Sequence, residues 1–156
     1  MILGIDPGLH GALAWMEDDG RVVDVQDIPI LNEGPRRKTI DASALARLLV
    51  SRPVRAAIIE AVHARPTDSK PSAFTFGRHL GALEALIMAQ DLPLRRVAPQ
   101  TWRKSAGLPA GAGKEASIAA ALRLCPTARP FLDAKAHDRA EAVLIAAFGV
   151  QHAQTA

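Results

Sequence analysis

The chain has 156 residues, 49% of them apolar and 22% charged, which suits one globular domain with a real core and excludes a disordered polyelectrolyte. Its single cysteine, Cys125, excludes an intramolecular disulfide and a thiolate metal cluster and is expected to be a buried apolar filler. The net charge of +3 is mild, but between Arg65 and Lys104 seven Lys/Arg face three acids, and Arg36, Arg37 and Lys38 form a second basic cluster. Such local excess suits a polyanionic partner. Two Trp, four Phe and no Tyr are too few for a stacking-based single-strand binder. The opening MILGIDPG lacks a basic leader, and no apolar run reaches the ~18 residues of a membrane span, so no membrane association and a cytoplasmic address are expected.

In chain order, Met1 to Ile5 reads as a strand ending at the turn Asp6-Pro7-Gly8, and Gly11 to Met16 as a second. Asp18-Asp19-Gly20 is a hairpin signal before a third strand, Val22 to Ile28. Residues 31–38 read as a polar loop. Asp41 caps a helix with Leu45, Leu48 and Leu49 on one face, and Pro53 ends that region. Val54 to Glu60 is a fourth strand, apolar on both faces and so expected at the buried centre of a sheet. After a polar loop over 61–70, a long helix is predicted from Pro71 to Gln90. Phe76, Leu80, Leu83 and Ile87 give it an apolar stripe. Gly77, Gly81 and Ala85 give it a stripe of small residues that admits close approach by the sheet or by a second copy of the chain.

Leu94 to Val97 is a short fifth strand. Helices follow over Pro99 to Ser105 and Lys114 to Leu124, separated by a Gly/Pro/Ala loop and stopped by Pro126. The last helix is predicted from Asp133 to Phe148, with Ala140, Val143, Leu144, Ala147 and Phe148 as its apolar face and Gly149 as its stop. The domain is expected to span 1–149, with a frayed tail over 150–156. This order predicts an α/β fold. An antiparallel meander comes first, and helix-linked strands then run parallel to the first strand.

The acidic residues carry the chemistry. Asp6 ends the first strand and Glu60 the fourth; as parallel neighbours they would stand side by side at the sheet edge where open α/β folds bind ligands. The last helix adds Asp138 and Glu141, which share a face at spacing i, i+3, with His137 beside them. Four carboxylates from distant segments make a hard-oxygen site suited to Mg2+ or Mn2+. Two such ions about 4 Å apart are the usual device for phosphodiester hydrolysis, one activating water and the other stabilising the leaving oxyanion.

With these residues in place, the chain resembles the RuvC family of Holliday-junction resolvases, particularly its phage and prophage branch. The matching segments are ILGIDPGLHGALA (2–14), AAIIEAVHARP (56–66), SAFTFGRHLGALEALI (72–87), VAPQTWRKSAG (97–107), GKEASIAAALRLCP (113–126) and HDRAEAVLIAAFG (137–149). The resemblance implies an RNase H-like fold, with a five-stranded mixed sheet and helices on both faces. It also implies a crossover junction endodeoxyribonuclease acting on branched DNA in a bacterial or phage-infected cell, a homodimer that uses the small-residue stripe, and Asp6, Glu60, Asp138 and Glu141 as metal ligands. Lys104 and Lys114 fall where family members place lysines near the scissile phosphate, with Lys114 the candidate for a catalytic role. Arg65, Lys70, Arg78 and Arg103 are expected to contact backbone phosphates.

Three departures stand out. Glu141 occupies a position where many bacterial members have aspartate. His137 lies where some members place a histidine that shares the metal. His63 stands where bacterial members often have an apolar junction wedge, and it is expected at the DNA surface.

GAGKE (111–115) is not a phosphate loop, because Leu108 stands where its first glycine belongs and Glu115 replaces the Ser/Thr; no nucleotide cofactor is expected. An actin-like kinase needs two such domains and a longer chain. A nuclease for RNA–DNA hybrids or flaps would use the same carboxylates, and a non-catalytic junction-binding module would keep only the basic surface.

Overall fold

Every residue of strand β1 (Ile2–Asp6) is buried, because the strand lies at the centre of a five-stranded sheet covered on both faces. The computed structural model describes residues 1–8, 10–34, 38–64 and 66–153. The sheet also contains β2 (Ala12–Met16) and β3 (Val22–Asp27), and the order of its strands becomes clear from their pairing. β1 pairs antiparallel with β2, which pairs antiparallel with β3. On its other side β1 runs parallel to β6 (Ala56–Glu60), and β6 parallel to β7 (Leu94–Val97), giving the order β3-β2-β1-β6-β7.

The period-2 alternation of side chains divides β1 between two cores. Leu3 and Ile5 pack with Leu13, Trp15, Ala57 and Ile59 against α1 (Ala42–Val50) and α2 (Lys70–Met88), through Leu45, Leu49, Leu83 and Ile87. Ile2, Ala12, Ala14 and Ile58 face the opposite core, formed by α3 (Pro99–Ser105), α4 (Lys114–Leu124) and α5 (His137–Ala153). Helices on both faces and the parallel β1–β6 pair are as the sequence predicts. Asp41 caps α1 through the Ala44 N–H at 2.9 Å, and Cys125 is buried in the second core.

Several expectations are corrected. The polar loop predicted over 31–38 instead contributes to a separate two-stranded sheet of β4 (Ile30–Asn32) and β5 (Lys38–Ile40). Strands this short carry too little periodicity to be legible. Pro126 stops α4 but opens a 3-10 helix to Phe131, and α5 starts at His137 rather than Asp133. Gly149 does not end α5, which continues to Ala153, into the stretch expected to be frayed. It is a packing glycine: a Cβ there would stand 2.6 Å from Ile58 Cγ1 and 2.8 Å from Ile2 Cγ2. The stretch Ala142 to Ala146 is buried on every side, because α3 and α4 cover the face of α5 turned away from the sheet. In α2, His79, Leu83 and Ile87 are buried, while Gly77, Gly81 and Ala85 are exposed, so the small-residue stripe does not pack on the sheet.

Candidate active site

A close helix–sheet approach builds the site. A Cβ on Gly4 would lie 2.3 Å from both the Ala142 carbonyl oxygen and the Ala146 amide nitrogen, so only glycine lets the α5 backbone rest on β1. Gly149 lies over Ile2 at the start of β1 and Ile58 in the middle of β6, so α5 runs back along β1 and its first turn reaches the strand ends. Two residues beyond Gly4 on the same face is Asp6. One turn before Ala142 is Asp138, and Glu141 precedes Ala142 directly. Ile5 registers with Ile59, so Glu60 is the next residue beside Asp6, on the same sheet face as Ile58. Arg139 anchors the first turn of α5 by a two-pronged bond to Asp27 at the end of β3, at 2.7 and 2.8 Å.

Asp6 is 8% exposed. Burial, then the charges of Asp138, Glu141 and Glu60, push its carboxyl up to about 8, against a smaller pull from the Gly8 N–H. Burial likewise raises Glu60. A hydrogen bond from Trp102 opposes that rise, Glu141 adds to it, and Arg103 opposes it. The four acidic side chains singled out in the sequence therefore lie close enough to act on one another electrostatically.

Their oxygens do not already form a cage. Among the described residues, no three His, Cys, Asp or Glu side chains are arranged to hold one cation. All four carboxylates have neighbours that hold them, Asp6 Oδ1 accepting from the Gly8 N–H at 3.3 Å. Glu60 accepts from Trp102 Nε1 at 3.0 Å. Glu141 Oε1 accepts from Ser117 Oγ at 2.9 Å and Arg103 Nη1 at 3.2 Å. Asp138 Oδ1 lies 3.0 Å from His137 Nε2. The donor set nevertheless fits a hard divalent cation: it is all carboxylate around a buried, mutually repelling centre that positive charge would relieve. Sharing such an ion requires the carboxylates to draw closer together than they now stand.

The other site candidates divide. His63 is exposed and lines a groove of about 490 Å³ with Glu60, Gln100, Arg103 and Glu141. Lys70, Arg78, Lys104 and Lys114 are exposed. Lys114 is one turn before Ser117, which places it on the α4 face that reaches Glu141. Arg103 is turned inward onto Glu141 and onto the Ala112 carbonyl oxygen at 3.1 Å, rather than out to solvent. Arg65 lies outside the described residues, as do Arg36 and Arg37. Sequence reasoning missed Trp102 and Ser117, both fully buried. A tryptophan in a helix reads as core and a serine as surface, and only the fold shows that each spends its polar hydrogen on a carboxylate.

No protein-family model and no curated protein matches the sequence. Solved structures do. Thermus thermophilus RuvC superposes with TM-score 0.68 at 17% identity, covering 97% of this chain and 96% of that one. T. thermophilus RuvC in complex with a Holliday junction substrate gives TM-score 0.66 at 15% identity, covering 97% and 95%. The yeast mitochondrial Holliday junction resolvase Ydc2 gives 0.56 at 16% identity, covering 99% and 81%. The chain therefore has the RNase H-like fold of these resolvases, along nearly its whole length.

Proposed function

We propose that the chain is a structure-selective endonuclease that resolves Holliday junctions and related branched DNA by metal-dependent phosphodiester hydrolysis. The observation that carries this reading is the buried Asp6 carboxyl at the end of β1, with Glu60, Asp138 and Glu141 gathered around it. The fold shared with a RuvC bound to a Holliday junction supplies the substrate class. No helix among the described residues is long and apolar enough to cross a membrane.

Asp6, Glu60, Asp138 and Glu141 would hold Mg2+ or Mn2+, two ions per site, with His137 beside Asp138. When bound, such ions supply an activated water and neutralise the leaving oxyanion. The protein's own residues do the rest. The Gly4 contact holds the first turn of α5 against the strand ends. Trp102 and Ser117 fix the orientation of the two glutamates. Lys114 would stabilise charge developing on the phosphate. His63, Lys70, Arg78 and Lys104 supply an exposed polar and basic surface for the DNA backbone, with Arg65 the further candidate. Cutting two symmetry-related strands calls for two copies related by a two-fold axis. The exposed Gly77, Gly81, Ala85 stripe of α2, with Phe74 70% exposed on the same helix, supports a homodimer through this face.

The test is a cleavage panel of four-way junction, three-way junction, flap, linear duplex and RNA–DNA hybrid, with Mg2+, Mn2+ and EDTA arms. Preferential, divalent-dependent cutting of the four-way junction is expected. Preference for the hybrid or flap would reassign the substrate, and binding to the junction without cutting would make the chain a silent junction-binding module.

A further inference from the structure

Two consecutive side chains of α3 grip two carboxylates from different parts of the fold: Trp102 donates to Glu60, and Arg103 pairs with Glu141. Arg103 is fixed on three sides. Its Nη1 lies 3.2 Å from Glu141 Oε1, its Nη2 donates to the Ala112 carbonyl oxygen at 3.1 Å, and its guanidinium lies 5.4 Å from the centre of the Trp102 ring. Both members of the ion pair are only about one-quarter exposed, at 24% and 21%, so water screens their attraction less than at an open surface. Among the described residues, Arg103 is the one Lys or Arg ion-paired with any of the four carboxylates.

We infer that Arg103 is an internal counter-cation for Glu141, which a divalent ion must displace to recruit that glutamate. The inference rests on the reading of the four carboxylates as cation ligands. A fixed guanidinium and a divalent ion compete for one carboxylate, since both are cations and the pair sits where screening is weak. While the arginine holds Glu141, it offsets the negative charge at the corner and keeps the glutamate turned toward α3 and α4. Once displaced, it is a free positive group in the groove it already lines with His63 and Gln100. A DNA phosphate there would take the place of the lost carboxylate. Cation loading and DNA grip then favour each other, because each stabilises the arrangement in which Arg103 has left Glu141. Arg103 is in this sense a positioning residue: it sets where Glu141 points and how readily the site accepts a cation.

Mn2+ titration of the full chain, followed by the electron paramagnetic resonance signal of free Mn2+, tests this without reference to turnover. Arg103→Gln is expected to bind Mn2+ about tenfold more tightly than the unsubstituted chain. Arg103→Met, which keeps the apolar stem over Trp102, gives the same readout should the glutamine variant fold poorly. Arg103→Lys restores the charge and should return the affinity toward the original. Arg21→Gln removes one positive charge at the turn between β2 and β3, at the end of the sheet opposite Asp6, so it should leave the affinity unchanged. Unchanged or weaker binding by Arg103→Gln and Arg103→Met, with Asp6→Asn still abolishing binding, overturns the inference and leaves the cation site standing. Tightening in Arg21→Gln as large as in Arg103→Gln also overturns it, since the pairing with Glu141 would not be the cause. Absence of Mn2+ binding in the unsubstituted chain removes the cation site and the inference together.

Discussion

Gly4 lies so close beneath Ala142 that the strand and helix backbones meet with no side chain between them: a Cβ on the glycine would stand 2.3 Å from the helix carbonyl oxygen. Both partners are backbone, so neither can swing aside. Gly4→Ala is expected to destabilise the fold by about 3 kcal/mol, at the upper end of the overpacking range, measured by urea unfolding. It should also lose cleavage, because lifting α5 off β1 moves Asp138 and Glu141 away from Asp6. A loss below about 0.5 kcal/mol would mean that this contact does not set the site.

Asp6 gives the protein a pH signature. Its carboxyl titrates at about 8 in the folded chain, against an ordinary value of 3.8. The folded state therefore binds this proton more tightly than the unfolded state, and the resulting stability is present below about pH 4 and is lost as pH rises toward 8. Without divalent ions, the stability advantage of Asp6→Asn over the unsubstituted chain should grow across that window, by at most about 1.4 kcal/mol per pH unit, and level off above it. Thermal unfolding of both proteins from pH 5 to 9 measures this. Excess Mn2+ should remove the advantage, and a flat difference would place Asp6 in water rather than in a crowded acidic corner.

Proton and cation compete for the same carboxyl oxygens. Mn2+ affinity is therefore expected to rise from pH 6 to pH 8 and then flatten, with roughly one proton released per binding event at neutral pH. Calorimetry in buffers of different ionisation enthalpy reads the proton count directly. Burial raises Glu60 as well, which works in the same direction. Binding independent of pH would contradict the raised carboxyl.

Trp102→Phe replaces the buried indole by a smaller ring and deletes the N–H that Glu60 accepts at 3.0 Å. The expected stability loss is about 2 kcal/mol, from the lost hydrogen bond and the space left behind. Cleavage should fall further, by about tenfold, because a freed Glu60 samples several orientations. Equal cutting rates for variant and parent would reduce Trp102 to a core residue.

Gly81 tests the two-fold assembly. A side chain built there meets nothing within 4 Å in its own chain, and Gly81 is exposed on α2. Gly81→Leu should therefore fold at least as stably, since leucine favours helix over glycine by about 0.8 kcal/mol. It should weaken the dimer if that stripe is the interface. Light scattering behind size exclusion across a concentration series separates the two effects. An unchanged dimer would move the interface elsewhere.

The sheet and the acidic corner were legible in the sequence for a simple reason. Ala56 to Glu60 and Ile2 to Asp6 are apolar runs ending in acids, and a buried central strand leaves no other pattern. The spacing of Asp138 and Glu141 on one helical face was equally open to reading. What lay hidden depended on contacts between distant segments. Gly149 looks like a helix stop until Ile2 and Ile58 are seen to crowd it. Arg103 looks like a phosphate contact until Glu141 is found beside it, 38 positions away in the chain. The β4–β5 pair is too short for any periodicity to mark it. Ser117 carries no sequence signal beyond its place in an apolar helix.

The most direct measurement is cleavage of an end-labelled four-way junction by the unsubstituted chain and by Asp6→Asn, each with Mg2+, Mn2+ or EDTA, with junction binding followed in parallel by gel shift. Paired nicks near the crossover are expected from the unsubstituted chain only when a divalent ion is present, and binding without nicking from the variant. Nicking by Asp6→Asn at the parental rate, or nicking that survives EDTA, would contradict a reaction centred on this carboxylate corner.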